Sequence, residues 1–332
     1  MISNNTRFAV GELLHPWSET GGGYEALTVV VKATFSFSPE GHVALAEEQV
    51  PVRYADELTG ENDEAPSARL PADVVPEKGA SDVVVSGHAY LPPAHTYVET
   101  AVQVGSTTAP LRVHGPRLFE SVLGGVRISD AVHVDRVPIT YERAYGGVSE
   151  DLGVSEDRNP AGVGVAKNPK LLDGKPAPQI EHPSRLHTSA KDAHEPMGYA
   201  PLLPHWEPRR AAFGSLDADY LKRRIPLFPR DFSLRFHNQA HPSLVLQSPL
   251  AAGTRVALSG LHPRGLLRFE LPDWQVELNA RRSQGVDDPV IIRADSIVIE
   301  PDLLRFELIG RARLRLLRTN RLREIQLDGV ET

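Results

Sequence analysis

The stretch Leu27-Thr-Val-Val-Val-Lys-Ala-Thr-Phe-Ser-Phe37 decides the fold class. Apolar side chains occupy every second position from Leu27 to Phe37, and Thr28, Lys32 and Thr34 fall on the alternate positions. A period of two residues, rich in β-branched and aromatic side chains, is typical of a β-strand with one face against a core. We therefore predict a strand here, with its polar side chains on the opposite face.

Similar patterns predict further strands in two blocks. The first block adds Asp82–Leu91, Val98–Val104 and Leu111–His114, and the second contains Leu244–Gln247, Thr254–Ser259, Gly265–Leu271, Trp274–Asn279, Val290–Glu300 and Leu304–Leu317. We predict a mainly β protein of two antiparallel β-sandwich or barrel-like blocks, residues 1–158 and 243–332. The blocks could instead form one intertwined domain, because nothing between them resembles a free linker.

Residues 159–242, between the two blocks, are rich in proline. Eleven prolines lie between residues 160 and 230, and proline disrupts both helices and central strands. The segment also contains Trp206 and several phenylalanines, which a disordered linker would lack. We predict an ordered, irregular connecting segment with one short helix at Ser215–Arg224, where Ser215 or Asp217 can cap the amino end and Pro226 follows the other.

The composition excludes several classes of protein. The chain has no cysteine, so thiolate metal sites, disulfides and cysteine nucleophiles are impossible. The formal net charge of −7 argues against a protein that coats nucleic acid. No signal peptide and no apolar stretch of about 18 residues is visible, so we expect a cytoplasmic protein without a membrane partner.

Charge is concentrated in two regions of opposite sign. Residues 40–82 have a net charge of −8, and residues 303–323 have a net charge of +6. In the latter, Arg311, Arg313 and Arg315 alternate along a predicted strand and therefore share one face. This row is either a basic binding ridge or a charged row that protects an exposed sheet edge from pairing.

No linear catalytic motif occurs in the sequence. Nucleotide-binding glycine loops, the nucleophile elbow and the His-Glu-x-x-His zinc motif are absent. His237 and His241 have the spacing of helical metal ligands, but Pro242 and the extended pattern before them disfavour a helix there. We therefore predict no enzymatic activity, metal or cofactor.

The most unusual string runs from His205 to Asn238 and interleaves aromatic, arginine and proline residues. Such mixtures are typical of binding hot spots, because large rigid side chains lose little entropy on binding. The candidate partner-binding residues are Trp206, Pro208, Arg209, Phe213, Asp217, Arg224, Phe232 and Asn238. In an alternative interpretation, Trp206 and Phe232 fill the seam between the β blocks, and Arg209 or Arg224 pairs with Asp217 or Asp231.

Short strings along residues 8–302 resemble a known bacterial family. They are Val31-Lys-Ala-Thr-Phe35, Glu48-Gln-Val-Pro-Val52, Asp73-Val-Val-Pro-Glu-Lys78, Asp82-Val-Val-Val-Ser-Gly-His-Ala89, Tyr141-Glu-Arg-Ala-Tyr-Gly-Gly147, Asn159-Pro160, Trp206-Glu-Pro-Arg209, Pro229-Arg-Asp-Phe232 and Asp295-Ser-Ile-Val-Ile-Glu-Pro301. In their order and coverage these strings resemble the accessory, or effector-adaptor, proteins of bacterial type VI secretion, long catalogued as a domain of unknown function.

The resemblance implies a role in protein loading. Such adaptors bind a secreted effector, often through a spike-tip (PAAR-like) domain, and help to place it on the spike protein of the secretion apparatus. On this interpretation, Arg209→Ala or Trp206→Ala would weaken effector binding without unfolding the protein. Two alternatives stay open: a hydrolase with a site assembled from Asp, Glu and His side chains, and a structural component of a contractile tail.

Overall fold

The predicted mainly β fold is confirmed. A computed structural model describes residues 1–19, 22–60, 65–149 and 154–329. Its strands are β1 Ile2–Asn4, β2 Ala9–Glu19, β3 Gly22–Phe37, β4 Val43–Leu45, β5 Glu57–Leu58, β6 Ala68–Leu70, β7 Ser81–Val85, β8 His88–Tyr90, β9 Tyr97–Val104, β10 Thr107–His114, β11 Phe119–Val122, β12 Gly125–Ile128, β13 Arg136–Pro138, β14 Tyr145–Gly146, β15 Val148–Ser149, β16 Val154–Ser155, β17 Val163–Gly164, β18 Ile180–Glu181, β19 Val245–Leu246, β20 Arg255–Ser259, β21 Leu267–Glu270, β22 Gln275–Arg282, β23 Gly285–Val286, β24 Val290–Glu300, β25 Arg305–Arg315 and β26 Leu322–Gly329.

The helices are short. They are the α-helices α1 Arg209–Phe213 and α2 Ala218–Arg223, and the 3-10 turns Tyr141–Arg143, Pro169–Leu172, Leu234–His237, Pro242–Leu244 and Pro301–Leu303. The predicted helix is confirmed as α2: the Asp217 side chain accepts from the N–H of Tyr220 and caps its amino end. The longer strands β2 and β26 and the helix α1 are not among the predicted elements. No helix in the described parts of the chain is long and apolar enough to cross a membrane.

The larger sheet has the strand order β1-β26-β22-β24-β25-β3-β2. Its centre is the antiparallel pair of β3 and β25, in which Ala33 lies opposite Leu308. Beside it, β24 pairs with β22 through its first half and, in parallel, with β7 through its second half. Short β19 pairs with β7. This sheet therefore joins strands from both ends of the sequence.

The second sheet also combines early and late strands, in the order β18-β10-β9-β20-β21. Its core face meets the larger sheet at a stack of phenylalanine rings. The ring centroids of Phe269 in β21 lie 4.5 Å from Phe37 and 4.7 Å from Phe306. Buried apolar residues of both sheets form one continuous cluster, so the strands before residue 158 and after residue 243 share a core.

The polar face of β3, opposite the apolar one as predicted, is covered by another segment of the chain. Lys32 is fully buried, and its Nζ lies 2.9 Å from Asp73 and 3.1 Å from Glu307. Arg53 completes a network of two cations and two anions, with contacts of 2.8 Å to Asp73 and 2.6 Å to Glu307. Because Arg53 and Asp73 lie on the segment between β4 and β7, these ion pairs fix that segment over the sheet.

Candidate functional site

The predicted binding string is divided between buried and exposed positions. Trp206 is only 1% exposed and packs edge-on against Tyr141, with ring centroids 5.5 Å apart. Arg209 is 5% exposed, whereas Pro208 is exposed. Trp206 is therefore a core residue, and the expectation that Trp206→Ala would leave the fold intact is wrong, because large-to-small changes in a core are strongly destabilising.

The phenylalanines of the string form one half-buried aromatic cluster. Phe228 and Phe232 stack with their centroids 4.0 Å apart, and Phe213 meets both edge-on at 6.0 and 6.3 Å. Phe236 completes the cluster, 5.1 Å from Phe213. Trp17 of β2 lies 6.1 Å from Phe228. The cluster therefore fastens the proline-rich segment to the edge strand of the larger sheet and leaves part of its rings at the surface.

Exposed apolar side chains border the aromatic cluster. Leu216, Leu221 and Ile225 are 62%, 58% and 57% exposed, and α2 buries none of its residues. Exposed Lys222 and Arg223 lie on the same helix. We call these five residues the apolar-basic patch. None of the five is among the predicted binding residues. Leu221 and Ile225, two apolar residues beside a helix end that carries Lys222 and Arg223, were a usable sequence signal.

Asp217 and Asp231 both have local partners in the described part of this segment. Asp217 caps α2, and Asp231 accepts hydrogen bonds from Ser215 at 2.7 Å and 3.0 Å. Arg224 donates from Nε to the carbonyl of Phe228. Arg209 likewise donates to main-chain oxygens. The alternative pairing of Arg209 with Asp217 or Asp231 is therefore not seen among the described residues, where both carboxylates accept hydrogen bonds from local turns instead.

A groove of about 600 Å³ lies between α1, the turn Leu234–His237 and β19. Its lining residues are mostly small or apolar, with a few polar ones: Gly79, Ala80, Leu202, Pro208, Arg209, Ala211, Ala212, Ser233, Leu234, Arg235, Asn238, Ala240, Pro242, Val245 and Gln247. The lining thus brings together three predicted site residues, Pro208, Arg209 and Asn238. The alanines carried no sequence signal, because small residues become groove walls only in the folded chain.

Arg209 is held in this groove by main-chain carbonyls. Its Nε donates to Phe236 O at 2.9 Å and its Nη1 to Leu202 O at 2.5 Å. No carboxylate among the described residues lies within ion-pair distance of the guanidinium. Burial lowers the pKa of Arg209 to about 10, although Asp56 and Asp82 act in the opposite direction. The guanidinium is therefore still charged at neutral pH and lacks a direct counter-ion.

Asn238 is held by the start of β7. Its Nδ2 donates to Ala80 O at 2.9 Å and to Asp82 Oδ1 at 2.8 Å. Asp82 also accepts from the main-chain N–H of Gln239 at 2.7 Å and pairs with the buried Lys78. Because both partners of Nδ2 are acceptors, the amide orientation is fixed, and Oδ1 has no donor within the described residues.

The arginine row on β25 does not form an exposed basic ridge. Arg311 is buried against Asp295, with Nε and Oδ2 2.8 Å apart, and Arg313 contacts Glu77 at 3.0 Å. Arg313 also lies over the Trp17 ring, and of the three only Arg315 is exposed. Strand β25 pairs on both sides, with β24 and β3, so the interpretation as a protected sheet edge is also wrong.

A second, more polar cleft of about 330 Å³ lies at the end of β24. His88 Nδ1 is 2.7 Å from Asp302 Oδ2, and the hydroxyl of Tyr90 donates to Asp302 Oδ1 at 2.9 Å. Glu300 and Arg69 line the same cleft, 3.6 Å apart. Hydrogen bonds from His88 and Tyr90 lower the pKa of Asp302, although burial opposes them. A carboxylate that orients an imidazole is a feature of acid–base sites.

The two histidines with metal-ligand spacing both have oxygen partners within the chain. Nδ1 of His237 lies 2.7 Å from Glu77 O, and His241 Nδ1 lies 2.8 Å from Ser243 Oγ. His237 ends the 3-10 turn Leu234–His237 and His241 precedes the next turn, Pro242–Leu244, so the two do not share a helix and their spacing of four has no helical meaning. No group of three or more potential ligands that could hold a metal occurs among the described residues.

Comparison with known proteins gives one match. No curated protein and no solved structure matches the chain at a significant level. A family model described as "Uncharacterized protein conserved in bacteria (DUF2169)" matches residues 22–311, from the start of β3 into β25. That range contains the groove, the apolar-basic patch and the polar cleft. Because the match covers most of the sequence, the chain belongs to the DUF2169 family.

Proposed function

We propose that the protein is a cytoplasmic adaptor of type VI secretion. It binds a secreted effector, through a spike-tip (PAAR-like) domain of that effector, and helps to load it onto the spike protein. The proposal starts from the resemblance of the sequence strings to effector adaptors, and it assigns the binding role to the surface that contains the apolar-basic patch. In this role the protein acts by binding and carries out no reaction.

The observation that carries the proposal is the apolar-basic patch on and around α2, in the same proline-rich segment whose residues line the groove. Leu221 and Ile225 are more than half exposed although both are large and apolar. Exposed apolar residues clustered beside polar ones are typical of protein-interaction surfaces. The half-buried phenylalanines beneath them provide rigid contact area of the kind found in binding hot spots. Lys222 adds a positive charge at the rim that favours an acidic partner surface, whereas the charge of Arg223 is partly balanced by Asp219 of the same helix, 3.4 Å away.

The experiment that tests this proposal starts from partner capture. The tagged protein is purified from its own cells, and co-purifying effectors are identified by mass spectrometry. The captured effector is then expressed and its affinity for the adaptor measured. We expect Leu221→Asp combined with Leu216→Asp to weaken binding by about tenfold or more, since hot-spot changes cost about 2 kcal/mol or more.

The matched control is Leu266→Asp. Leu266 is 47% exposed and lies outside the patch, in the connection between β20 and β21. We expect this variant to bind the effector as the unchanged protein does, and both variants to keep the unfolding midpoint within a few degrees. If the patch variant bound the effector as tightly as the unchanged protein, the patch would not be the effector-binding surface.

The polar cleft favours a second candidate function, a hydrolase. The His88–Asp302 pair at 2.7 Å provides an oriented imidazole beside Glu300. A hydrolase that used this pair would lose its activity in a His88→Gln variant, whereas an adaptor would keep its effector affinity. Turnover of peptide, ester or glycoside substrates that disappears in His88→Gln would favour this candidate over the adaptor.

A further inference from the structure

The groove contains a buried cation whose charge is not neutralised by a direct partner. Arg209 is 5% exposed, lines the groove, and uses Nε and Nη1 for carbonyl oxygens. Its Nη2 makes no hydrogen bond to a described residue. A buried guanidinium usually pairs with a carboxylate, because its removal from water is costly without one. The guanidinium also lies 5.4 Å from the centroid of the Phe236 ring, a cation–π contact that supplies no anion, so the groove can still accept one.

We propose that the groove binds an extended segment of the partner protein, and that an aspartate or glutamate of this segment pairs with Arg209. This inference rests on the proposed adaptor function and names the chemistry of the segment that the adaptor holds. The remaining N–H groups of Arg209 would donate to the carboxylate, an arrangement that is stronger than a hydrogen bond between neutral groups.

The charge of the lining supports an anionic occupant. The lining residues include Arg209 and Arg235 and no aspartate or glutamate. Arg235 is exposed, and its side chain has no ion-pair partner among the described residues, so it adds a second positive charge at the rim. An acidic segment entering the groove would meet positive charge at both the rim and the floor, whereas a basic segment would be repelled.

The walls of the groove favour a polypeptide over a small acid. Ala211, Ala212 and Ala240 make an apolar bed that suits small side chains of an extended chain. Strand β19 borders the groove and, within the described residues, pairs only with β7, so its other edge has no strand neighbour. Sheet edges of this kind accept extended peptides.

The test uses two pools of labelled ten-residue peptides and the full-length protein. Both pools randomise alanine, valine, serine and glycine around one fixed central position, which is aspartate in the first pool and asparagine in the second. We expect the aspartate pool to bind at least about tenfold more tightly in fluorescence anisotropy, because only the carboxylate pairs with the buried cation. Succinate serves as the small-acid probe, and we expect no detectable competition from it at millimolar concentration.

The decisive variant is Ala211→Glu, with Ala218→Glu as its matched control. Substitution of Arg209 itself would remove the hydrogen bonds to Leu202 and Phe236 and could unfold the segment. Ala211 is exposed on α1 and lines the groove, so a glutamate there competes for Arg209. Ala218 is also exposed and helical, but it lies outside the groove. We expect a loss of about tenfold or more in Ala211→Glu only.

Several results would overturn the inference. They are absence of binding by either pool, equal binding of the two pools, equal affinity in Ala211→Glu and the unchanged protein, and displacement of the peptides by succinate. These results leave the adaptor function standing if effector capture still depends on Leu216 and Leu221. If effector capture does not depend on Leu216 and Leu221 while acidic peptides still bind in the groove, the proposed adaptor surface is wrong and the peptide site stands.

Discussion

Burial of single polar side chains makes the stability of this fold depend on pH. His237 is 2% exposed, and its Nδ1 lies 2.7 Å from the carbonyl oxygen of Glu77, which fixes the proton on Nδ1. Burial lowers the pKa of His237 to about 3, and the cations of Arg311, Lys78 and Arg209 act in the same direction. The folded protein therefore keeps this imidazole neutral well below neutral pH.

The consequence is a loss of stability in mild acid. Between about pH 6.5 and 3, the unfolded chain binds a proton at His237 that the folded chain does not, so the free energy of unfolding falls as pH decreases. This group alone should remove about 2 kcal/mol between pH 7 and pH 5. Urea unfolding at both pH values measures the loss, and His237→Asn, which keeps a donor for Glu77 O, should reduce it by that amount.

The control for this prediction is His205→Asn. His205 is exposed, so its replacement should leave the pH dependence of the unfolding free energy as it is in the unchanged protein. If the His237→Asn protein lost as much stability between pH 7 and pH 5 as the unchanged protein, the protonation of His237 would not contribute to the acid sensitivity.

At the scale of elements, a network of four buried charged side chains attaches the segment between β4 and β7 to the sheet. They are Lys32, Arg53, Asp73 and Glu307. Glu307 is fully buried on β25 and contacts Lys32 of β3 and Arg53 of the covering segment. Burial alone would raise the pKa of Glu307, but hydrogen bonds and charges of Arg53 and Lys32 lower it overall. The network thus places two carboxylate side chains against two cationic ones.

Removal of one member should be strongly destabilising. In Glu307→Gln, Lys32 and Arg53 would share the single charge of Asp73, which leaves one buried cation uncompensated. We expect a loss of about 3–5 kcal/mol in the free energy of unfolding, measured by urea denaturation. The exposed pair Arg255–Glu270, 3.2 Å apart, is the control, and Glu270→Gln should cost less than about 1 kcal/mol. Similar losses in both variants would contradict the structural role of the network.

The alternating pattern of β3 predicted the strand and its two faces, but not what covers them. Periodicity is a local property, and it placed Lys32 opposite the core residues correctly. The partners of Lys32 lie 41 and 275 positions away, at Asp73 and Glu307, and no local pattern contains that information. The alternation from Arg311 to Arg315 likewise predicted the strand β25, but not that its arginines have partners within the fold. Strands β24 and β3 pair with β25 on both sides, and Glu77 of the segment between β4 and β7 contacts Arg313.

The candidate site was predictable to a similar degree. Aromatic and arginine content located the segment that forms the groove, and the capping pattern located α2. Sequence could not separate Trp206, which is buried, from Leu221, which is exposed. That distinction depends on which side of the irregular segment packs on Tyr141 and its neighbours, and irregular backbone has no period from which a buried side can be read.

At the scale of the whole molecule, the two ends of the chain are folded together. Strands β3 and β25 pair over eleven positions, from Ala26 with Arg315 to Ser36 with Arg305. The second sheet places β9 between β10 and β20. Phe8 near the amino terminus packs on Trp274, with ring centroids 5.9 Å apart. Neither β block can complete either sheet alone, so the blocks should lose their structure together.

The three tryptophans of the chain allow this cooperativity to be measured. Trp17, Trp206 and Trp274 are all buried; they lie in β2, in the proline-rich segment and directly before β22 respectively. Three variants that each keep one tryptophan and replace the other two by phenylalanine report on these regions separately. In each variant we expect the urea midpoint from fluorescence to equal the midpoint from far-UV circular dichroism, because a two-state protein gives coincident transitions for all probes.

Comparison within a variant removes the stability cost of the replacements themselves. A Trp17 signal that changed at lower urea than the circular dichroism of the same protein would show that the amino-terminal block unfolds by itself, and it would restore the division of the chain near residues 158 and 243.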